Sequence, residues 1–181
     1  MGRDDNVIKH ATAGAFVFCR FPDWGWRLGL IEHPRLGRWM VPGGHVEDDE
    51  CQAQAAIREV EEESGLAGVR LLEGPAPPLP AGFPATHAQV PLPWWIIQQH
   101  VPADNHLAEP HTHVDHQYVA VADDPEPARS AAHPFAWYTV DQVRELTMFE
   151  DTKLLAKMLF SGIGDLADGR LDAAEALRPF T

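Results

Sequence analysis

Basic side chains are scarce in this chain of 181 residues: Lys and Arg number 14 against 27 Asp and Glu, a formal net charge of -13. A nucleic acid polymer draws its affinity from Lys and Arg that displace condensed counterions, so it is excluded as the main partner. Cysteine is scarcer still. Cys19 and Cys51 are the only two and cannot build a disulfide framework, so reduced thiols and a cytoplasmic location are expected. No apolar run approaches the roughly 18 residues of a membrane span. The opening MGRDDNVIKHATAG has charges but no apolar centre, so neither a membrane partner nor a secretory signal is expected. Asn6 stands where a myristoylation signal wants Ser or Thr. A small phosphorylated ligand survives these exclusions only if a metal ion reverses the local field.

Hydrophobic residues make up 45% of the chain, which is ordinary for a globular domain. Residues 1–181 show neither repeat nor linker and read as one domain. AGAFVFCR and WRLGLIEH are expected strands joined at the FPDWG turn, and RWMVPGGHV a short strand ended by Pro-Gly-Gly. From about Asp49 to Ser64 the apolar spacing turns helical, with Ala53, Ala56, Ile57 and Val60 as the inward stripe. Asp48 or Asp49 can cap its start, and Gly65 can stop it. GVRLLE, WWIIQQH, HVDHQYVAVA and FAWYT continue the strands, DQVRELTMFEDTKLLAKMLFSGI forms one or two helices, and the tail after it is helical in composition. The stretch at about 74–93 holds too much proline for regular structure. Strands interleaved with two helical regions indicate an α/β domain.

REVEEESGL, Arg58 to Leu66, crowds four glutamates into five residues. Positions i, i+3 and i+4 share a helix face, so Glu59, Glu62 and Glu63 point one way while Glu61 points elsewhere and is solvated. Such an oxygen cluster suits Mg2+ or Mn2+, ions that bridge to substrate phosphates. An exposed acidic face is the ordinary alternative. The wider context, GHVEDDECQAQAAIREVEEESGL at residues 44–66, has nine specified residues at fixed spacing: Gly44, Glu50, Arg58, Glu59, Val60, Glu62, Glu63, Gly65 and Leu66.

This pattern resembles the Nudix box, and the order of strands, loops and helix around it extends the resemblance to most of the chain. The resemblance implies a MutT-like Nudix hydrolase, an α/β/α sandwich with a mixed central sheet. Its expected reaction is metal-dependent hydrolysis of the diphosphate linkage in a nucleoside diphosphate derivative, whether a nucleoside triphosphate, a nucleotide sugar or an ADP-ribose type compound. By the same resemblance Glu59, Glu62 and Glu63 are metal ligands with one as possible base, and the Gly43 carbonyl reaches a metal. Arg58 holds the glutamates in place, and Glu50 has an accessory role. Mg2+ is the implied cofactor, with Mn2+ as substitute, and a nucleotide the small-molecule partner. A homodimer is a reasonable default. A Nudix fold kept as a non-catalytic binding module is the alternative, which loss of a box glutamate would favour.

Outside the box, His111, His113 and Asp115 alternate onto one strand face, with His116 and Tyr118 on the other. That His-x-His-x-Asp face could bind Zn2+, orient substrate or supply a base. It resembles a Nudix subgroup that pairs a PGGHVE stretch with such a strand near the active site. Glu47 could reach a metal through water or favour the helix start. Arg35 and Arg38 could contact a terminal phosphate. Trp24, Trp26, Trp39, Trp94 and Trp95 offer stacking surfaces for a base. The proline-rich loop could hold substrate selectivity or be inert.

Overall fold

The computed structural model describes residues 8–104 and 106–176. The first seven residues, with Asn6 and the start of the stretch judged not to be a secretory signal, lie outside that range, as does the end of the tail. Eight strands form one sheet: β1 (Lys9–Phe21), β2 (Gly25–His33), β3 (Arg38–Met40), β4 (Gly43–His45), β5 (Arg70–Leu72), β6 (Trp95–Val101), β7 (His111–Ala122) and β8 (Phe135–Tyr138). The helices are α1 (Gln52–Ser64), α2 (Val140–Glu145), α3 (Glu150–Ala167) and the short α4 (Ala173–Ala176). The C-terminal helical segment thus divides into α2 and α3, and among the described residues no helix is long and apolar enough to cross a membrane.

The sheet is mixed. β1 and β7 run parallel at its centre, from Lys9 opposite Thr112 to Cys19 opposite Ala122, and all other pairings are antiparallel. Both central strands are covered on both faces, so their apolar residues run almost without interruption. Side-chain alternation still assigns each residue to one face. Ala13, Ala15, Val17 and Cys19 of β1 and Tyr118, Ala120 and Ala122 of β7 pack with Ala53, Ala56 and Val60 of α1. Phe16, Phe18, Val119 and Val121 pack on the opposite face with Leu159 and Ile163 of α3. Small residues under α1 let that helix lie close, and large ones fill the α3 side. Val60 is 0% exposed, a burial that contributes about 1.5–3 kcal/mol. The architecture is the expected α/β/α sandwich.

Three local expectations need correction. The strand expected over RWMVPGGHV stops at Met40, and Gly43–His45 forms a strand of its own against β1, with Gly43 opposite Gly14 and Gly44 opposite Ala13. Pro42 lacks an N–H and interrupts the ladder between them, while its carbonyl accepts from Ala15 N at 3.1 Å. The long helix starts at Gln52, not near Asp49. Cys51, not Asp48 or Asp49, occupies the capping position, and its N–H donates to the Gln54 side chain at 2.9 Å. Ile57 is only half-buried, and Ala55 takes its place among the buried residues. Gly65 ends the helix in the left-handed conformation, φ 75°.

β1 changes partners along one edge, pairing with β4 at Thr12–Gly14 and with β2 at Val17–Phe21. There β4 approaches unusually closely. A Cβ on Gly43 would fall 2.8 Å from the Ala13 carbonyl oxygen and 2.8 Å from the Gly14 Cα, both backbone. A Cβ on Gly44 would instead meet the end of the Glu59 side chain, 2.6 Å from its Cδ. Gly43→Ala is therefore expected to cost about 1–3 kcal/mol of stability, since two paired strands must move apart. Gly44→Ala should cost clearly less, because a carboxylate can swing aside. Urea midpoints of the two variants check this, and equal losses would rule out the β1–β4 contact as the controlling one.

Candidate active site

Arg58 organises the acidic helix. Its Nε and Nη2 donate to the Glu50 carboxylate at 3.1 Å and 2.7 Å, and Nη2 also donates to the His45 carbonyl at 3.0 Å. Its Nη1 bridges Glu59 at 2.8 Å and Glu62 at 3.2 Å. One planar guanidinium thus ties the loop before α1 to two carboxylates on it, a task for which its fixed fork of donors is suited. The same guanidinium holds the Glu50 carboxyl below its usual range.

Glu63, one turn beyond Glu59, accepts the Gly43 N–H at 2.9 Å, and His133 Nε2 stands 3.3 Å from its other oxygen. Burial pushes Glu63 up to about 7, against the pull of the Gly43 N–H. Burial also raises Glu59, against the pull of Arg58. Glu59 and Glu63 are mostly buried, whereas the Glu62 side chain is 55% exposed. Glu61, expected to be merely solvated, pairs with Arg129. The loop carrying Arg129 closes over the end of α1, with Ala128 N and Ala132 N donating to the carbonyls of Gly65 and Glu62.

Of these groups Glu59, Glu63 and Gly43 border a cleft of about 740 Å³, together with Gly44 and Glu47, whereas Arg58, Glu50 and Glu62 do not line it. His113 and Asp115 of β7 border the same cleft. Asp115 is held by Thr12 Oγ1, which donates to it at 3.2 Å, and by Gln117, with burial raising its carboxyl. Arg38 does not line the cleft. It lies over the Phe149 ring at 4.8 Å, while Arg35 is the arginine at the cleft wall. None of Trp24, Trp26, Trp39, Trp94 and Trp95 lines it either; among the described residues its aromatic walls are Phe16 and Phe149, with histidines beside them. The proline-rich segment takes no part in it.

Sequence reasoning missed His133, Thr12 and Asp104. His133 and Thr12 reach the site only through tertiary packing, and neither lies in a pattern that announces it. Asp104 had one faint signal, an Asp before Asn in a loop, which is common turn chemistry.

The model of the NUDIX domain matches residues 10–158. The chain belongs to the Nudix family. A 62-residue stretch is 42% identical to the Bacillus subtilis protein named "Putative 8-oxo-dGTP diphosphatase YtkD", covering 34% of this chain and 37% of that protein's length. A Nudix-family hydrolase from Clostridium perfringens has a similar structure, with a TM-score of 0.65 at 21% identity, over 85% of this chain and 97% of that one. An Ap4A hydrolase from C. elegans, solved as a binary complex, gives a TM-score of 0.58 at 15% identity, over 86% and 98%. At these identities the structural likeness concerns the fold.

The raised Glu63 gives this Nudix protein a pH signature in the absence of metal. With a folded value of about 7 against 4.5 for an unperturbed Glu, the native state keeps a proton that the unfolded chain releases. Its stability therefore falls as pH rises from about 4.5 to about 7 and levels off above, by up to about 3 kcal/mol. Glu63→Gln, neutral at every pH, should lose this component. Urea unfolding in chelator at pH 5 and pH 8 measures the difference, and identical pH slopes in both proteins would refute it.

Proposed function

We propose that the protein hydrolyses a nucleoside diphosphate derivative at its phosphoric anhydride, using Glu59, Glu62, Glu63 and the Gly43 carbonyl to hold Mg2+, with Mn2+ as substitute. The observation that carries this reading is the convergence of two carboxylates on one dipeptide: Glu63 bonds Gly43 N and Glu59 rests against Gly44. An oxygen-only donor set beside a pair of glycines, Gly43 and Gly44, fits a hard divalent ion and a diphosphate. When bound, that ion lowers the pKa of a coordinated water and offsets charge on the phosphoryl oxygens.

The chain's own residues supply the rest. The glycines of β4 admit the diphosphate close to the backbone. Arg58 keeps Glu59 and Glu62 aimed, and Glu50 and Glu47 steady the preceding loop, with Glu47 N donating to Glu50 at 3.0 Å. A carboxylate of the triad takes the proton of the attacking water. The water oxygen bonds to phosphorus, the bridging P–O bond breaks, and the leaving phosphate carries away the electron pair. The products are a nucleoside monophosphate and a second phosphorylated compound, or pyrophosphate from a triphosphate. Arg35, at the cleft wall, faces the phosphate end, and Phe149 gives the base an apolar surface with Arg38 stacked behind it. Asp115, held by Thr12 and Gln117, borders the same space and orients the substrate.

The names of the relatives supply the first substrates to try, 8-oxo-dGTP and Ap4A. Glu62→Gln and Glu63→Gln should each lower kcat by about 10²-fold or more with the fold intact, because charge is lost with little change in volume. Wild-type turnover in both at saturating Mg2+ sinks the assignment, and hydrolysis in ¹⁸O water identifies the phosphorus attacked. Phe149→Ala should raise KM several-fold and leave kcat nearly unchanged, as loss of uniform binding does. A fall in kcat alone would contradict a stacking role.

A further inference from the structure

Next to the box carboxylates a second group of donors converges, one that the hydrolytic scheme does not use. Nε2 of His111 lies 3.0 Å from Nε2 of His113. Oδ2 of Asp104 lies 3.3 Å from the first and 3.5 Å from the second. His45 adds a further ring, and one ligand atom from each of the four residues falls within 4.8 Å of the others. Donors bonded to Zn2+ at about 2.0–2.2 Å stand about 3.3–3.6 Å apart in a tetrahedron. Three of these atoms already keep nearly that spacing.

Local bonding presents the atoms as lone pairs. Nδ1 of His111 lies 2.9 Å from the Glu109 carbonyl. That oxygen can only accept, so Nδ1 carries the proton and Nε2 of the neutral ring is bare. Oδ1 of Asp104 accepts the N–H groups of His106 and Leu107 at 2.8 Å and 2.9 Å. The carboxylate is thereby fixed with Oδ2 toward the rings. Nε2 of His45 is buried and has no hydrogen-bond partner. A ligand histidine oriented by a carbonyl on its other nitrogen is the usual outer support of a metal site. Without a cation, His113 could donate one proton to one of two acceptors and leave the other facing a lone pair.

We propose that His45, Asp104, His111 and His113 form a site for one Zn2+-class transition-metal ion, distinct from the hard-cation site of α1. Three imidazoles and one carboxylate are a borderline donor set that favours Zn2+ over Mg2+. Four protein ligands describe a closed, structural site. It joins three pieces of chain: His45 on β4, His111 and His113 on β7, and Asp104 in the connection between β6 and β7. The ion would pin that connection to the strand that carries the box glycines. This inference does not depend on which nucleotide is hydrolysed.

The test uses the full chain stripped with chelator and titrated with Co2+ as a spectroscopic probe. One Co2+ per chain should give the strong visible absorption of four-coordinate geometry, displaced by one equivalent of Zn2+ and unaffected by millimolar Mg2+. Zn2+ should also raise the thermal midpoint. Asp104→Asn and His111→Asn, with folding checked by circular dichroism, should weaken Zn2+ binding by more than about 100-fold, beyond the loss of an outer partner. Glu62→Gln should keep both the absorption and the thermal shift. A band that survives Asp104→Asn and vanishes in Glu62→Gln would put the ion on α1 and overturn the proposal. So would the lack of any stoichiometric band in the wild type, which would leave the rings sharing a proton.

Discussion

Four carboxylates within five residues of one helix repel one another, and everything near the cleft is arranged around that repulsion. Each has a partner. Arg58 serves Glu59 and Glu62, Arg129 serves Glu61, and Glu63 has the Gly43 N–H with His133 beside it. The answers are unequal, and the inequality matters. Glu61 is answered by an arginine outside the cleft. Glu59 and Glu63 are buried further than their partners compensate, so both carboxyls sit above their ordinary range. Charge left uncompensated inside a cleft is an affinity for a cation held in reserve. Under the proposed function it is also how a chain of net charge -13 would receive an anionic substrate.

That arrangement needs glycines where β4 meets β1. β4 can lie against β1 closely enough for its backbone to meet the glutamates only because positions 14, 43 and 44 are glycine. Pro42 contributes by ending β3, which lets Gly43–His45 leave β2 and join β1. The central β1–β7 pair then carries both the core and the site. Its middle is buried between α1 and α3, and its N-terminal end, from His10 to Thr12 and at His113 and Asp115, borders the cleft. Stability and chemistry thus share one pair of strands but occupy different lengths of it.

Much of this was legible beforehand, and the reasons differ from residue to residue. The face of α1 followed from helical spacing, because Ala53, Ala56 and Val60 repeat at the helical period. The glycines and glutamates stood at fixed separations within one continuous segment, so a linear pattern could hold them. The start of α1 was misplaced because Asp48 and Asp49 are better caps than Cys51 in isolation, whereas the loop is held by Glu50 bonding Glu47 N and Arg58. Arg38 was misdirected because strand position does not reveal that Phe149, far along the chain, offers its ring. Asp104 and His133 lie in loops whose positions are set by the folded sheet. No local period encodes them.

The histidines show how far a linear reading of the site extends. Alternation along β7 placed His113 and Asp115 together, as the structure does, but it assigned them one shared environment. They have different ones. Asp115 is engaged by Thr12 and Gln117 on the sheet itself, while His113 turns to His111 and Asp104. The separation follows from partners on β1 and on the β6–β7 connection, which strand period alone cannot supply. It divides the cleft by donor chemistry, with oxygens from α1 and β4 on one side and imidazoles with a single carboxylate on the other. Hard ions with reluctantly lost waters are suited to the first set and borderline ions to the second. Because His45 directly follows Gly44, a ligand held by the second set would fix the backbone on which the first depends.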